Sequence, residues 1–274
     1  MMNEENQNAE KMNLEHWNNI APVHYNAYFI EPLMQPDGIC LDEIQVNELG
    51  ELTGKSLLHL QCHIGTDTLS LARLGAKVTG IDFSEKSIEL AKKLSKETEI
   101  EGRFIHSNVY DLPQVLDEQF DFVYTSQGVL CWLRDIDEWG RIIARHLKPG
   151  GTFYIMDSHP IKNIFDDEES ENLSIRYPYK SVKPMLWSGE YPDYADKSYI
   201  VNSSTSEWFW SVSDIINSLI NAGLQLEFFN EYNKLFFKGF PWMVEDDEGW
   251  WILPDHEDKL PLTFSLKCTK KHDV

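Results

Sequence analysis

Short apolar runs alternate with helically spaced apolar positions from Lys55 onward. Five runs are too short for helices and predict strands, at residues 56–62, 76–82, 103–107, 120–126 and 152–157. Helical spacing follows the first, second and fourth of them, at residues 66–74, 84–94 and 135–147. Strand, crossover and strand in repetition predict a mostly parallel sheet that is covered on both faces.

Two further strands are predicted near the end of the chain. A helix is predicted from Ser213 to Gly223, followed by strands at residues 224–232 and 262–269. If these last two strands pair like a hairpin, the final strand runs antiparallel, at or near the edge of the sheet. The whole pattern predicts an α/β fold with a Rossmann-like, doubly wound sheet.

The regular pattern is interrupted twice, and it does not include the first 50 residues. Residues 159–210 and 233–260 are rich in aromatic and acidic side chains without a clear period, which predicts inserted cap segments in a domain over residues 51–274. In the N-terminal region, 1–50, the polar stretch up to about Asn13 predicts a mobile tail. Residues 14–28 predict a helix that Pro22 interrupts.

Composition and charge exclude several classes of protein. The 274 residues include 42% hydrophobic ones, enough for a sizeable core, so the chain is not disordered as a whole. The formal net charge of -21 argues against nucleic acid as a partner, because phosphate binding needs basic surface. No apolar stretch approaches the roughly 20 residues of a membrane helix. The polar, acidic start is unlike a signal peptide, so we expect a cytoplasmic protein.

Cysteine and histidine spacing predicts neither a disulfide framework nor a metal site. The four cysteines are widely spaced without a CxxC pair, which is typical of reduced thiols. His59, Cys62 and His63 are close in sequence, but residues of one strand alternate sides and no fourth ligand is evident.

The strand ends carry the signals of a nucleotide site. Gly65 lies where the first strand turns into a helix, so it either lets the backbone approach a ligand or is an ordinary turn glycine. Asp82 ends the second strand, where a carboxylate can accept both ribose hydroxyls, cap the next helix, or do both. Asn108 and Val109 follow the third strand, in position to contact an adenine ring.

Five segments together resemble the successive motifs of class I S-adenosylmethionine-dependent methyltransferases. They are LLHLQCHIGTDTLSLA, GAKVTGIDFSEKSIELAKK, SNVYDLP, FDFVYTS and LKPGGTFYI, which cover about residues 55–157. The LQCH loop is similar to that of a bacterial subgroup. The resemblance implies a seven-stranded sheet with an antiparallel last strand, S-adenosylmethionine as cofactor and S-adenosylhomocysteine as product. It also implies that the cofactor is bound by Gln61, Cys62, His63, Gly65, Asp82, Phe83, Asn108, Val109 and Ser126.

The first loop departs from the family's pattern. The family usually has an acid at the position of His59, glycines at those of Gln61 and His63, and an aspartate at that of Asn108. The larger side chains either narrow the methionine pocket, add hydrogen bonds to it, or mean that cofactor binding has been lost.

Methyl transfer is a direct displacement, so the enzyme mainly has to align an acceptor with the methyl group. The resemblance places the loop after the fourth strand against that group, with Ser126, Gln127 and Trp132 as pocket residues. Tyr25 and Tyr28 of a helical lid and Trp208 of the first cap are further pocket candidates, although packing of the cap onto the core explains such aromatics equally well. His159 is the candidate base; the alternative is a turn histidine before Pro160.

The predicted function is therefore methyl transfer to a small-molecule acceptor, by a monomer or a homodimer. No motif selects oxygen, nitrogen or sulfur as the acceptor atom. A non-catalytic S-adenosylmethionine-binding or scaffold protein is the alternative from another class. A nicotinamide-dependent oxidoreductase fits less well, because GxGxxG is absent.

Overall fold

The chain folds around one large sheet with helices on both faces. A computed structural model describes residues 4–28, 30–168, 172–254 and 259–272. Its strands are β1 (Ser56–Leu60), β2 (Lys77–Asp82), β3 (Arg103–His106), β4 (Phe120–Ser126), β5 (Leu147–Ser158), β6 (Ser181–Trp187), β7 (Tyr191–Pro192), β8 (Ile200–Val201), β9 (Thr205–Phe209), β10 (Leu224–Tyr232), β11 (Lys234–Leu235), β12 (Val244–Glu245), β13 (Trp251–Ile252) and β14 (Thr263–Lys270). Its α-helices are α1 (Glu4–Ala27), α2 (Glu43–Leu49), α3 (Thr66–Arg73), α4 (Glu85–Thr98), α5 (Leu112–Val115), α6 (Ile136–His146) and α7 (Val212–Asn221).

The large sheet has seven strands in the order β10-β14-β5-β4-β1-β2-β3. Strands β1 to β5 pair in parallel, whereas β14 is antiparallel to both of its neighbours, β5 and β10. The predicted fold class and the antiparallel last strand are confirmed, with β14 one strand in from the edge. The strand order reverses between β1 and β4, which is where doubly wound sheets bind their ligands.

Alternate residues of β1 face two different cores. Leu58 and Leu60 are fully buried in one cluster with Trp139 of α6. Leu57 is fully buried in another cluster, on which α2 packs through Leu49. A strand that is buried on both faces has no solvent-exposed side. This is why residues 56–60 are mostly apolar and do not alternate with polar residues.

The N-terminal segment differs from its prediction. Helix α1 begins at Glu4, so described residues up to Asn13 are helical and not a tail, and it continues through Pro22 to Ala27. Residues 4–13 are helical because side chains of this segment, such as Asn13, are buried against the first cap. The Asn13 side chain donates to the backbone oxygen of Ser206 at 2.7 Å and accepts from the Ser206 amide at 2.8 Å.

Both predicted cap insertions contain short strands. In the first, β6 pairs with β9 and β7 with β8, and in the second β11, β13 and β12 form a small sheet. Contact between β9 and α1 joins the first cap to the N-terminal helix. Among the residues that the structure describes, no helix is long and apolar enough to cross a membrane.

Candidate functional site

A cavity of about 600 Å³ lies at the carboxyl ends of β1 to β4. It is covered by α1 and by residues of both caps. The predicted site residues that line it are Tyr28, Gln61, Cys62, His63, Asp82, Phe83, Asn108, Val109, Ser126, Gln127 and Trp132. Apart from Tyr28, which follows α1, these residues come from the ends of four different strands. Parallel pairing brings those strand ends to one edge of the sheet.

The loop after β1 keeps a glycine-like backbone without the glycines. Gln61 has φ 57° and His63 has φ 47°, both in the left-handed region that side chains rarely adopt. Gly65, with φ 82°, does not line the cavity; a Cβ there would lie 2.9 Å from the Phe104 ring. This glycine is required by the packing of the loop against β3, and the side chains of Gln61 and His63 are left at the cavity wall.

Asp82 organises the ends of β1 and β2. Its two carboxylate oxygens accept hydrogen bonds from the His63 amide at 2.9 Å and the Ser84 amide at 2.8 Å. Burial raises the pKa of Asp82 to about 6, although these amides favour the charged form. The Phe83 amide adds a third backbone hydrogen bond. A carboxylate has about four lone-pair sites, so Asp82 keeps acceptor capacity for a ligand at the cavity wall.

The third strand end is shared with α1. The Asn108 side-chain oxygen accepts from the Tyr110 amide at 3.1 Å, which caps the short turn that follows. Glu10 of α1 bonds to the Asn108 side chain and forms an ion pair of 3.0 Å with Arg134. Glu10 also lines the cavity. Sequence reasoning missed it, since it lies in the segment that was expected to be a tail.

Asp67 is a second carboxylate that the motif analysis missed. It lies in the first turn of α3, lines the cavity, and accepts hydrogen bonds from Tyr124 at 3.1 Å and Ser126 at 2.5 Å. Burial raises its pKa. The Ser126 hydroxyl is thus committed to Asp67. The available signal was an acid two residues beyond Gly65, inside the first motif, to which no role was given.

Two buried side-chain atoms of the cavity lining have no hydrogen-bond partner among the described residues. They are Nε2 of His59 and Oε1 of Gln61. Nδ1 of His59 is 2.8 Å from the Thr68 hydroxyl, and burial lowers the His59 pKa to about 3, so the imidazole is neutral. Unsatisfied buried polar atoms cost free energy unless a ligand or water completes them.

Asp157 holds the loop after β4. Its buried carboxylate accepts from the amides of Gly128 at 2.7 Å, Val129 at 3.0 Å and Leu130 at 3.2 Å. The same loop positions Trp132, whose indole nitrogen donates to the Gly128 oxygen at 2.7 Å. The cavity wall at the end of β4 is therefore fixed by a residue of β5.

A chain of buried side chains connects α1 to the loop and to the first cap. His63 contacts Ser87 at 3.0 Å and His24 at 3.0 Å, and His24 contacts Asp193 at 3.1 Å. When both imidazoles are neutral, the carboxylate accepts from His24, His24 accepts from His63, and His63 accepts from the Ser87 hydroxyl. Tyr28, directly after α1, adds a hydroxyl–hydroxyl contact with Tyr194 of the first cap. The role of α1 as a lid over the cavity stays a prediction.

Aromatic rings and two lysines from outside the strand ends also line the cavity. We call them the aromatic lining and define it by Tyr28, Tyr194, Lys197, Phe236, Phe237, Lys238 and Trp251. The rings of Phe236 and Phe237 have centroids 5.0 Å apart, and the Lys238 ammonium lies 5.2 Å from the centre of the Trp251 ring.

Four predicted site residues lie outside the cavity lining, namely Gly65, Tyr25, Trp208 and His159. Tyr25 faces α4, where its hydroxyl donates to Glu97, and Trp208 is fully buried. His159 caps a short turn at the end of β5, with Nδ1 accepting from the Ile161 amide at 3.1 Å and Nε2 3.0 Å from Glu231. His159 thus has the contacts of a turn histidine, and its role as the base stays a prediction.

No group of three or more metal-ligating side chains occurs among the described residues. All four cysteines are free thiols.

Residues 58–155 match a family model described as a methyltransferase domain. This range and the strand order agree with the five motifs of the sequence. The segment is a class I S-adenosylmethionine-dependent methyltransferase domain. The cofactor of this class is S-adenosylmethionine, and S-adenosylhomocysteine remains after the methyl group has left.

Two curated relatives share the methyltransferase domain with this chain. Demethylmenaquinone methyltransferase of Lactococcus lactis is 33% identical over 149 residues, which are 52% of this chain and 55% of that protein. Cypemycin N-terminal methyltransferase of a Streptomyces species is 30% identical over 130 residues, 46% and 51% of the two chains. The chain thus spans about half the length of these relatives.

The fold likeness extends further than the sequence likeness. A crystal structure of a S-adenosylmethionine-dependent methyltransferase from Clostridium acetobutylicum superposes with a TM-score of 0.58 over 93% of this chain and 99% of that one. At 12% identity, this comparison concerns the fold alone.

Proposed function

We propose that this chain transfers the methyl group of S-adenosylmethionine directly to a small-molecule acceptor. The observation that carries the proposal is one covered cavity, whose lining combines the strand ends of the methyltransferase domain with aromatic side chains of α1 and of the two caps. Such a cavity brings a cofactor and an acceptor together without bulk water.

The residues at the strand ends fit the cofactor. Asp82 has acceptor capacity at the cavity wall for the ribose hydroxyls. His59 Nε2 is an acceptor when Nδ1 carries the proton and donates to the Thr68 hydroxyl. With Gln61 Oε1 and the Asp67 carboxylate, it then fits the ammonium group of the cofactor's methionine end. Asp67, in the first turn of α3, thereby takes the role of the acid that the family usually has at position 59. This favours added hydrogen bonds in the altered loop over loss of cofactor binding.

When bound, the cofactor supplies an electrophilic methyl group on a positively charged sulfur. The chain's own residues position the reactants and exclude water. Asp157 fixes the loop of Gln127 and Trp132, and the His63–His24–Asp193 chain holds α1 over the cavity. Aligning two reactants in this way supplies much of the rate enhancement of a displacement.

The alternative is a protein that binds S-adenosylmethionine without turnover. It is favoured only by the crowded first loop, where Gln61 and His63 occupy glycine positions. A nicotinamide cofactor fits less well, since the loop lacks the glycines of a dinucleotide fingerprint.

Calorimetric titration of the purified chain with S-adenosylmethionine, S-adenosylhomocysteine and NAD tests the proposal. We expect micromolar binding of the first two and none of NAD, followed by release of S-adenosylhomocysteine with a suitable acceptor. Binding without turnover over a broad panel of small acceptors would favour the non-catalytic alternative. Failure of all three ligands to bind would refute both.

A further inference from the structure

Helix α1 contacts the residues that follow β2 and β3. The Ser84 hydroxyl, two residues beyond Asp82, donates to the side-chain oxygen of Asn18 at 2.7 Å. Nearer the start of the helix, Glu10 bonds to the side chain of Asn108. A rise of about 1.5 Å per residue separates these two helix positions by about 12 Å. Helix α1 therefore meets the end of β2 with Asn18 and the end of β3 with Glu10.

The base of the cofactor is expected at the end of β3. Under the proposed function, Asp82 binds the ribose, and Asp67, which follows β1, binds the methionine end. Strands β1 and β3 lie on either side of β2, and the Ser107 amide donates to the backbone oxygen of Asp82 at 2.9 Å. The base and the amino-acid chain leave the ribose at different carbons. When the chain extends toward β1, the base therefore extends toward Ser107 and Asn108.

Glu10 keeps hydrogen-bonding capacity at this part of the cavity wall. One carboxylate oxygen accepts from Nε of Arg134 at 3.0 Å, and only 16% of the Glu10 side chain is exposed. The side chain of Asn108 supplies a second hydrogen bond. Since a carboxylate has about four lone-pair sites, Glu10 can accept further hydrogen bonds from a ligand in the cavity that it lines.

Apolar side chains next to the partners of Glu10 suit a flat base. Val109 follows Asn108 and Leu133 precedes Arg134, and both are buried residues of the cavity lining. Apolar surface with a few placed polar groups is typical of a small-molecule site. The exocyclic amine of adenine is a hydrogen-bond donor, whereas its ring nitrogens N3 and N7 are acceptors. A carboxylate in this place is therefore complementary to the amine.

We propose that Glu10 selects the adenine base, by accepting a hydrogen bond from the exocyclic amine of the bound cofactor. This inference rests on the proposed function, because the base belongs to S-adenosylmethionine. It assigns recognition of the base to α1, which precedes the matched methyltransferase domain at residues 58–155. The alternative is that Glu10 only attaches α1 through Arg134, which would not distinguish between bases.

Two ligands that differ only in the amine test the inference. The full chain is titrated by calorimetry with S-adenosylhomocysteine and with its analogue that has hydrogen in place of the exocyclic amine. We expect S-adenosylhomocysteine to bind at least about tenfold more tightly, because the analogue loses a hydrogen bond to a charged, partly buried acceptor. A preference below about threefold would overturn the inference, and this measurement needs no variant.

Variants separate contact with the base from attachment of the helix. Glu10→Met/Arg134→Met removes both charges of the ion pair, so neither is left buried without its partner, and the two ligands should then bind within about twofold of each other. Arg134→Met alone breaks the same ion pair but keeps the acceptor, so it should keep the wild-type preference. Glu15→Met, at a side chain of α1 that is 68% exposed, is the matched control and should also keep it.

The outcomes distinguish this inference from the proposed function. If the wild-type chain does not bind S-adenosylhomocysteine, the proposed function fails and the inference fails with it. If both ligands bind with similar affinity, the inference alone fails. It also fails if Glu10→Met/Arg134→Met keeps the preference, or if Arg134→Met loses it to the same extent, since Glu10 would then act only through the ion pair.

Discussion

Single side chains at the strand ends determine which part of a cofactor each position can recognise. Asp82 combines three backbone hydrogen bonds with a place on the cavity wall, and Asp67 combines two hydroxyl donors with a place on the same wall. Both carboxylates are buried, which raises their pKa values. Their charge is therefore sensitive to pH and to a ligand that donates hydrogen bonds.

Asp82 makes cofactor binding depend on pH. Because its pKa is about 6, protonation below that value removes acceptor capacity for the ribose hydroxyls, and affinity for S-adenosylhomocysteine should fall between about pH 7.5 and about pH 5. Asp82→Asn should weaken binding at about pH 7.5 by more than roughly tenfold and flatten the profile. Calorimetry at several pH values measures both, with the exposed Asp37→Asn as control. An unchanged affinity in folded Asp82→Asn would remove the ribose assignment.

Asp67 should recognise only the amino-acid end of the cofactor. In Asp67→Asn, affinity for S-adenosylhomocysteine should fall by more than roughly tenfold, because a charged hydrogen bond to the ammonium group is lost. 5′-Methylthioadenosine lacks that end, so its affinity should change by less than about twofold. Equal weakening of both ligands in calorimetry would mean that Asp67 supports the loop and does not contact the ammonium group.

At the scale of elements, α1 is held by distant parts of the chain. Asn13 joins it to β9, Glu10 to Arg134, and His24 to both His63 and Asp193. These contacts are mostly polar and buried, so α1 depends on complementary partners more than on its own helical pattern. If α1 acts as a lid, it should open when these buried polar contacts separate.

Asn13→Ala tests the attachment of α1. It leaves the amide and the carbonyl oxygen of Ser206 without their partners, and should lower the free energy of unfolding by about 1–3 kcal/mol. The exposed Asn8→Ala, on the same helix, should change it by less than about 0.5 kcal/mol. Urea unfolding measures both variants. Equal stability of the two would show that the Asn13–Ser206 pair does not secure the helix.

At the scale of the whole molecule, the cavity joins regions that are far apart in sequence. The strand ends of the methyltransferase domain form one wall, and α1 and the two caps form the others. A ligand in the cavity contacts all of them at once. Its binding should therefore stabilise the lid and the caps together with the sheet.

Hydrogen exchange can follow this coupling. Saturation with S-adenosylhomocysteine should slow amide exchange in α1, in residues 193–197 and in residues 236–238, as well as at the strand ends. The β6–β7 region is outside the cavity lining and serves as an internal control. Protection confined to the strand ends would mean that the lid and the caps close independently of the cofactor.

Local pattern and general topology were enough to predict the sheet and half of the site. Apolar runs of strand length, separated by helical spacing, permit few arrangements, and parallel strands collect their carboxyl ends at one edge. Asp82, Asn108 and Ser126 could be placed there because each directly follows or ends a strand. The antiparallel direction of the last strand followed from the resemblance to the family, whereas its position between β5 and β10 was seen only in the structure.

Only the tertiary structure decided which side chains from outside the sheet line the cavity. Glu10 and Trp17 line it because α1 is fixed by partners more than 150 positions away, at Asp193 and Ser206. Tyr25 contacts Glu97 of α4 instead, and His159 turns toward Glu231. Side-chain direction in these segments depends on long-range packing, which no local period encodes. The sequence by itself thus determined the sheet and its ligand-binding edge, and the tertiary contacts determined which side chains of α1 and of the caps complete the cavity wall.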